Sequence, residues 1–156
     1  MSEKSENYVV KYLPYAKAAG ERFNMDPFVI LAQGAQESGW GTSSLSQNQN
    51  NFFGFTAGGK PNEFWDGQYY VAKNKYQLKF RVYKSPQESF MDFARLIESK
   101  YKAAHAAGKD YKTYAQRIAY SPYISEKNGD NRENYKNGII KLYDSIISAA
   151  KKKALI

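Results

Sequence analysis

The residue best placed to do chemistry is Glu37. It stands in the segment AQGAQESGWGTS, residues 32–43, where an apolar helical face gives way to glycines and a tryptophan. A carboxyl in the last turn of a helix faces the negative end of the helix dipole, which favours its protonated form. A neighbouring indole, Trp40, lowers the local dielectric and pushes the same way. A carboxylic acid still protonated near neutral pH can hand its proton to a leaving oxygen. Gly39 and Gly41 permit a close chain reversal and an open floor beside the acid. On residue types alone, a solvated glutamate near a helix end, beside a core tryptophan, is the simpler reading, and the acid stands second.

Composition narrows the remaining chemistry. The 156 residues include no cysteine and a single histidine, His105. That excludes a disulfide scaffold, a thiolate site and a zinc site built on several imidazoles. No metal and no cofactor are expected. The length fits one domain over residues 1–156. With 42% apolar and 24% charged residues, wholesale disorder is excluded. Aromatic residues make up 16% of the chain, so they must build part of the core, and their excess suits a groove that stacks on sugar rings or bases. The net charge of +8 fits an anionic partner without choosing among nucleic acid, acidic membrane and wall polymer. The lysines are scattered rather than striped and no nucleic-acid motif is present, so no nucleic acid is expected. No stretch reaches the roughly 20 apolar residues of a membrane span. The opening MSEKSENYVVKYLPY lacks the apolar run of a signal peptide.

The elements that must position Glu37 follow from periodicity. Tyr8, Val9, Tyr12, Leu13, Ala16 and Ala19 predict a helix over 4–22, with Pro14 marking a kink or a late start. Asp26-Pro27 is a start signal, and Phe28, Leu31, Ala32 and Ala35 carry the second helix to about Ser38. The polar SLSQNQNN reads as loop. Leu78, Phe80 and Val82 alternate with Lys79, Arg81 and Tyr83, a strand that pairs with residues 68–71 around a turn near Lys73-Asn74. Ser85-Pro86-Gln87-Glu88 matches a capping box for a helix through Phe90, Phe93, Ala94, Ile97 and Tyr101, closed by Gly108. Shorter and longer helices follow at about 112–119 and 132–151.

Four blocks in order resemble glycoside hydrolase family 73, the bacterial N-acetylglucosaminidases that cut peptidoglycan. They are AQGAQESGWGTSSL, NNFFGF, FRVYKSPQESFMDFARLI and YAQRIAYSPYI. The resemblance implies an α+β, lysozyme-like fold, mostly helical, with a small β-hairpin lobe flanking a substrate groove. It implies hydrolysis of the β-1,4 bond after N-acetylglucosamine and places Glu37 on the family's general-acid position.

One departure concerns the second carboxylate, which many members carry on the hairpin. Here GQYYVAKNKYQLKF holds none, and the nearest acids are Glu63 and Asp66. Either one of these serves as base, or the substrate's 2-acetamido group attacks and no second carboxylate is needed. The second scheme is preferred, and Asp66 in Trp-Asp-Gly also reads as a turn residue. The family's groove tyrosine falls in AYSPYI, with Tyr120 the better match and Tyr123 the alternative. Trp40, Trp65, Asn51 and Tyr123 are the candidate substrate contacts. Phe52 and Phe55 read as packing, Arg81 as a structural ion pair with Glu88 as one partner, and His105 as solvated.

The expected partner is the peptidoglycan glycan strand, met by a monomer, with an inhibitor or immunity protein that plugs the groove if the chain is a delivered toxin. The expected setting is the periplasm or cell wall, reached by non-classical export, phage release or a secretion system. A lytic transglycosylase or muramidase on the same scaffold, or a non-catalytic wall-binding module, are the competing readings.

Overall fold

The computed structural model describes residues 2–156. In chain order the elements are α1 (Glu3–Phe23), α2 (Pro27–Ser38), α3 (Ser44–Gln49), β1 (Tyr69–Val71), β2 (Lys79–Arg81), α4 (Pro86–Lys100), α5 (Lys102–His105), α6 (Tyr111–Ala119) and α7 (Arg132–Lys152). The fold is α+β and lysozyme-like, a helical body carrying one small two-stranded sheet.

α2 is the hub. Every residue from Val29 to Ala35 is buried, so this helix is enclosed on all sides instead of showing one wet face. α1 and α7 pack against it, α4 packs on α1, and α6 packs on α7. Asp26 caps its start through a 2.9 Å bond from the Phe28 amide, and Gly39 ends it in the left-handed region. α7 comes unusually close at Gly138, where a Cβ would fall 2.4 Å from Gln36 Oε1. A larger residue there would push the Gln36 amide aside, and Gln36 uses the approach to donate to the Tyr135 carbonyl at 3.2 Å.

Several sequence expectations need correction. α1 runs through Pro14 from Glu3 to Phe23 rather than starting late. The polar SLSQNQNN forms α3, because Ser43 supplies a side-chain cap to the Ser46 amide. The helix expected to reach Gly108 breaks at Tyr101, whose φ of −123° is not helical, and resumes as α5. His105 is half-buried and hydrogen bonds the Phe23 carbonyl at 2.7 Å.

The hairpin also differs from its alternation. β1 and β2 pair antiparallel with Tyr70 opposite Phe80. Leu78 is exposed, whereas Tyr83 is buried and Arg81 turns inward. The reason is Asp92 on α4, which is fully buried. Its Oδ2 accepts from Arg81 at 2.7 Å and from the Tyr83 hydroxyl, and its Oδ1 accepts from Arg95 at 2.9 Å and Asn62 at 3.0 Å. A buried carboxylate must be surrounded by donors. Apart from Arg95 on α4 itself, the donors come from β2, its continuation and the 55–66 loop, so the β-lobe is anchored by charge. Arg81 does form a structural pair, but with Asp92 rather than Glu88.

Asp92→Asn keeps the side chain's shape and strands two guanidinium groups without their counter-charge. Chemical denaturation should show a loss of about 3–5 kcal/mol, the cost of breaking a buried pair. A loss below about 1 kcal/mol, the range of exposed pairs, would show that the anchor is dispensable.

Candidate active site

Glu37 lies in the last turn of α2, and Gln33 sits one turn earlier on the same face. Gln33 is fully buried, and its two amide atoms are committed. Its Oε1 accepts from the Tyr114 hydroxyl at 2.6 Å, and its Nε2 donates to the Tyr135 oxygen at 3.1 Å. The Tyr135 hydroxyl therefore has its own proton free, and it donates to Glu37 Oε1 at 2.8 Å. With the Gln33 amide in this orientation, the chain Tyr114–Gln33–Tyr135–Glu37 passes donors in one sense toward the carboxyl.

This carboxyl stands on the floor of a cleft of about 750 Å³. One wall comes from α7 and the segment between α6 and α7, with Tyr123, Asp130 and Tyr135. The other comes from the β-lobe and α4, with Phe55, Lys60, Arg81 and Arg95. Gly54 borders the acid closely, since a Cβ there would come 3.7 Å from Glu37 Oε2. Glu37 can be reached by solvent, yet the protein crowded around its carboxyl replaces much of the surrounding water. That desolvation is the main cause that raises its pKa above the usual glutamate value. The Tyr135 hydrogen bond works against it by favouring the carboxylate, and the charge of Asp130 adds to it. The phenols of Tyr123 and Tyr135 are both held well above their usual pKa, first by burial, so they stay neutral donors.

The other sequence-derived candidates scatter. Tyr123 lines the cleft, half-buried, with its ring centroid 6.4 Å from that of Tyr135. Tyr120, the better motif match, does not: it is exposed, ends α6, and donates to Glu133 at 2.6 Å beside a separate depression. Asp66 stays on its turn, where it accepts from the Gln68 amide and lies 3.7 Å from Lys84 Nζ. Glu63 faces away and pairs with Arg22. Trp65 is buried rather than a groove wall, stacked under the Arg81 guanidinium at 4.1 Å. Trp40 adopts a φ of 60° and packs edge-on against Tyr8, outside the cleft. Asn51 is buried, and its amide bonds the Phe55 and Arg81 carbonyls at 3.0 Å, which stitches the loop to β2.

Sequence reasoning passed over three residues that the structure brings to Glu37: Gln33, Tyr135 and Asp130. Gln33 carries a readable signal, a polar residue four positions before Glu37 on an otherwise apolar face. Tyr135 sits on a helical stripe with Ile139 and looks like core. Asp130 lies in a polar turn that carries no local pattern. Among the described residues Asp130 is the only other carboxylate lining the cleft. No group of residues able to hold a metal occurs among the described residues.

Comparisons with known proteins give the family and the fold. Residues 13–148 match the glucosaminidase family model, described as mannosyl-glycoprotein endo-beta-N-acetylglucosaminidase. The peptidoglycan hydrolase FlgJ of Pseudomonas aeruginosa is 26% identical over 81% of this chain and 34% of its own length. The exo-glucosaminidase LytG of Bacillus subtilis is 31% identical over 72% of this chain and 43% of its own. The chain thus spans less than half the length of these curated relatives. The glycoside hydrolase domain of Salmonella typhimurium FlgJ superposes with a TM-score of 0.75 at 24% identity, covering 99% of this chain and 94% of that one. A chain of a type VI secretion system effector–immunity complex from Pseudomonas protegens gives 0.67 at 20% identity, covering 94% and 96%.

The two groups flanking Glu37 shift its titration in opposite directions. Tyr135→Phe removes a bond that favours the carboxylate, so the Glu37 pKa should rise further. Asp130→Asn removes a repelling charge, so it should fall. Carbon-13 NMR titration of the Glu37 side chain reads both, and shifts of the same sign would refute this account of the acid.

Proposed function

The chain belongs to the glucosaminidase family, and we propose that it hydrolyses the β-1,4 bond after N-acetylglucosamine in peptidoglycan, with Glu37 as the general acid. The observation that carries this is a cleft carboxyl that accepts from Tyr135 at the end of the chain Tyr114–Gln33–Tyr135 and whose pKa is raised above the usual glutamate value. The relatives named as peptidoglycan hydrolase and exo-glucosaminidase support the substrate class.

Glu37 gives its proton to the glycosidic oxygen as the C1–O bond breaks. The β-lobe offers no carboxylate to the other side of the sugar, since Asp66 and Glu63 are engaged elsewhere. The oxygen of the sugar's own 2-acetamido group therefore attacks C1 and forms a cyclic oxazolinium ion. Asp130 balances the positive charge on that ion, and the neutral Tyr123 phenol orients the acetamido group. Water then attacks C1, returns its proton to Glu37, and restores the acetamido group. Two attacks in sequence retain the anomeric configuration.

The reaction belongs in the periplasm or cell wall, where the polymer is. A delivered toxin of this kind needs an immunity protein that covers the cleft in the producing cell, and the structural neighbour from an effector–immunity complex supports that partner class.

Mass spectrometry of digested peptidoglycan should show new reducing N-acetylglucosamine ends. Anhydromuramic ends would mean a transglycosylase, and binding without products would mean a wall-binding module. Glu37→Gln should lose about 10²-fold or more in turnover. The same variant should gain stability at neutral pH. A raised carboxyl pKa means the folded state holds its proton more tightly than the unfolded state. Folding stability is therefore lost as pH climbs from the ordinary glutamate range to the raised value, and glutamine is free of that loss. Near-normal turnover by the folded variant would sink the assignment. Proton NMR of the first-formed product reports the anomer, and inversion would make Asp130 a base acting on water.

A further inference from the structure

We propose that the cleft wall built by the β-lobe and α4 is a carboxylate subsite that reads the 3-O-lactyl arm of the muramic acid residues. The ligand class is a glycan carrying an organic carboxylate on that arm, either from the attached stem peptide or from the free lactyl group. This rests on the glycan-cleaving reading above.

The cleft is electrically divided. Its two lining carboxylates, Glu37 and Asp130, belong to the helical side. Its lining cations, Lys60, Arg81, Arg95 and Lys100, all belong to the β-lobe and α4. One buried carboxylate, Asp92, serves both guanidinium groups and so offsets one of their two charges. Lys60 and Lys100 are exposed and enter no ion pair among the described residues. The wall therefore keeps an excess of positive charge facing the space where a strand would lie.

The arginines are also held in advance. Arg81 donates through Nη1 to Asp92 at 2.7 Å, through Nε to the Thr56 carbonyl at 3.1 Å and through Nη2 to the Gly58 carbonyl at 2.7 Å. Arg95 directs Nε and Nη2 at Asp92 Oδ1, at 2.9 and 2.8 Å, which leaves its Nη1 donors unused. A guanidinium fixed in place loses little freedom when a carboxylate arrives, and its planar donors match the two oxygens. N-acetylglucosamine has no carboxylate to offer. The chemical distinction between the alternating sugars of the strand is the lactyl arm, and this wall carries the complementary charge.

The test uses the two exposed lysines, whose loss does not threaten folding. Binding is measured in a Glu37→Gln background, so the readout needs no turnover. Lys60→Gln/Lys100→Gln is compared with Lys73→Gln/Lys75→Gln, a pair on the exposed hairpin turn that removes the same charge. Three ligands are used: peptide-bearing strands, strands stripped of peptide by an amidase to free the lactyl carboxylate, and a chitooligosaccharide without carboxylates. The cleft double variant should lose about 3- to 10-fold in affinity for muramyl strands, the range of two solvent-facing ion pairs. The chitooligosaccharide should bind unchanged. Loss on peptide-bearing strands alone assigns the stem-peptide carboxylates, and loss on stripped strands assigns the lactyl group. Equal loss on the chitooligosaccharide, equal loss from the hairpin control, or no loss on either muramyl strand would overturn the subsite. Absence of hydrolysis by the native chain would defeat the enzymatic reading while leaving the binding result to stand on its own.

Discussion

A single buried carboxylate gathers the wall that faces Glu37 across the cleft. Asp92 has no access to solvent, and an ionised group in that position is tolerable only if donors enclose it. It recruits them from separate stretches of chain: Arg81 on β2, Tyr83 just beyond, Asn62 in the preceding loop, and Arg95 on its own helix. A sheet of two three-residue strands cannot stand alone in water. Its register with Thr56, the burial of Trp65 under Arg81, and the path of the 55–62 segment all rest on that charge. The wall opposite Glu37 is thus held by this buried charge together with the Asn51 amide and the Phe53–Phe93 stack, where the helical wall rests on apolar packing around α2.

The helical wall solves a different problem, holding an acid that the surroundings disfavour in its charged form. Apolar burial of α2 supplies the rigid platform, and the polar chain from Tyr114 to Glu37 supplies orientation. Gln33 is the element that gives the chain its sense, because a buried amide with an acceptor satisfied on one side must donate on the other. Tyr135 then plays two parts. It aims the carboxyl and moderates the pKa rise that burial causes, so the acid is held protonated more easily than a solvated glutamate but can still give up its proton.

The helices were legible in the sequence because their information is local. Asp26-Pro27, Ser85-Pro86 and the spacing of Phe90, Phe93 and Ile97 each act within a few residues. The place of Glu37 in the last turn of α2 was legible for the same reason. The failures share the opposite cause. Arg81 and Tyr83 turn inward because of Asp92, nine to eleven residues away. Tyr120 and Tyr123 are three apart, yet the end of α6 sends one to the outer surface and one into the cleft. Tyr135 meets Glu37 across 98 positions, and no pattern within α7 separates it from a core tyrosine. Trp40 looked like the source of desolvation because it is adjacent in sequence, but its left-handed backbone swings it onto Tyr8.

The missing hairpin carboxylate and the charge division of the cleft are two views of one arrangement. Residues 67–87 contain no acid and five cations, Lys73, Lys75, Lys79, Arg81 and Lys84. A glutamate placed on that wall would face Arg81 and Arg95, and their charges would hold it firmly ionised. It would also cancel the excess that Asp92 leaves uncompensated. Among the described residues the only other cleft carboxylate is Asp130, between α6 and α7, so both carboxylates stand on one side of the cleft and the cations line the other. On the mechanism proposed above, the attack on the anomeric carbon comes from the substrate, which leaves the cationic wall free to bind it.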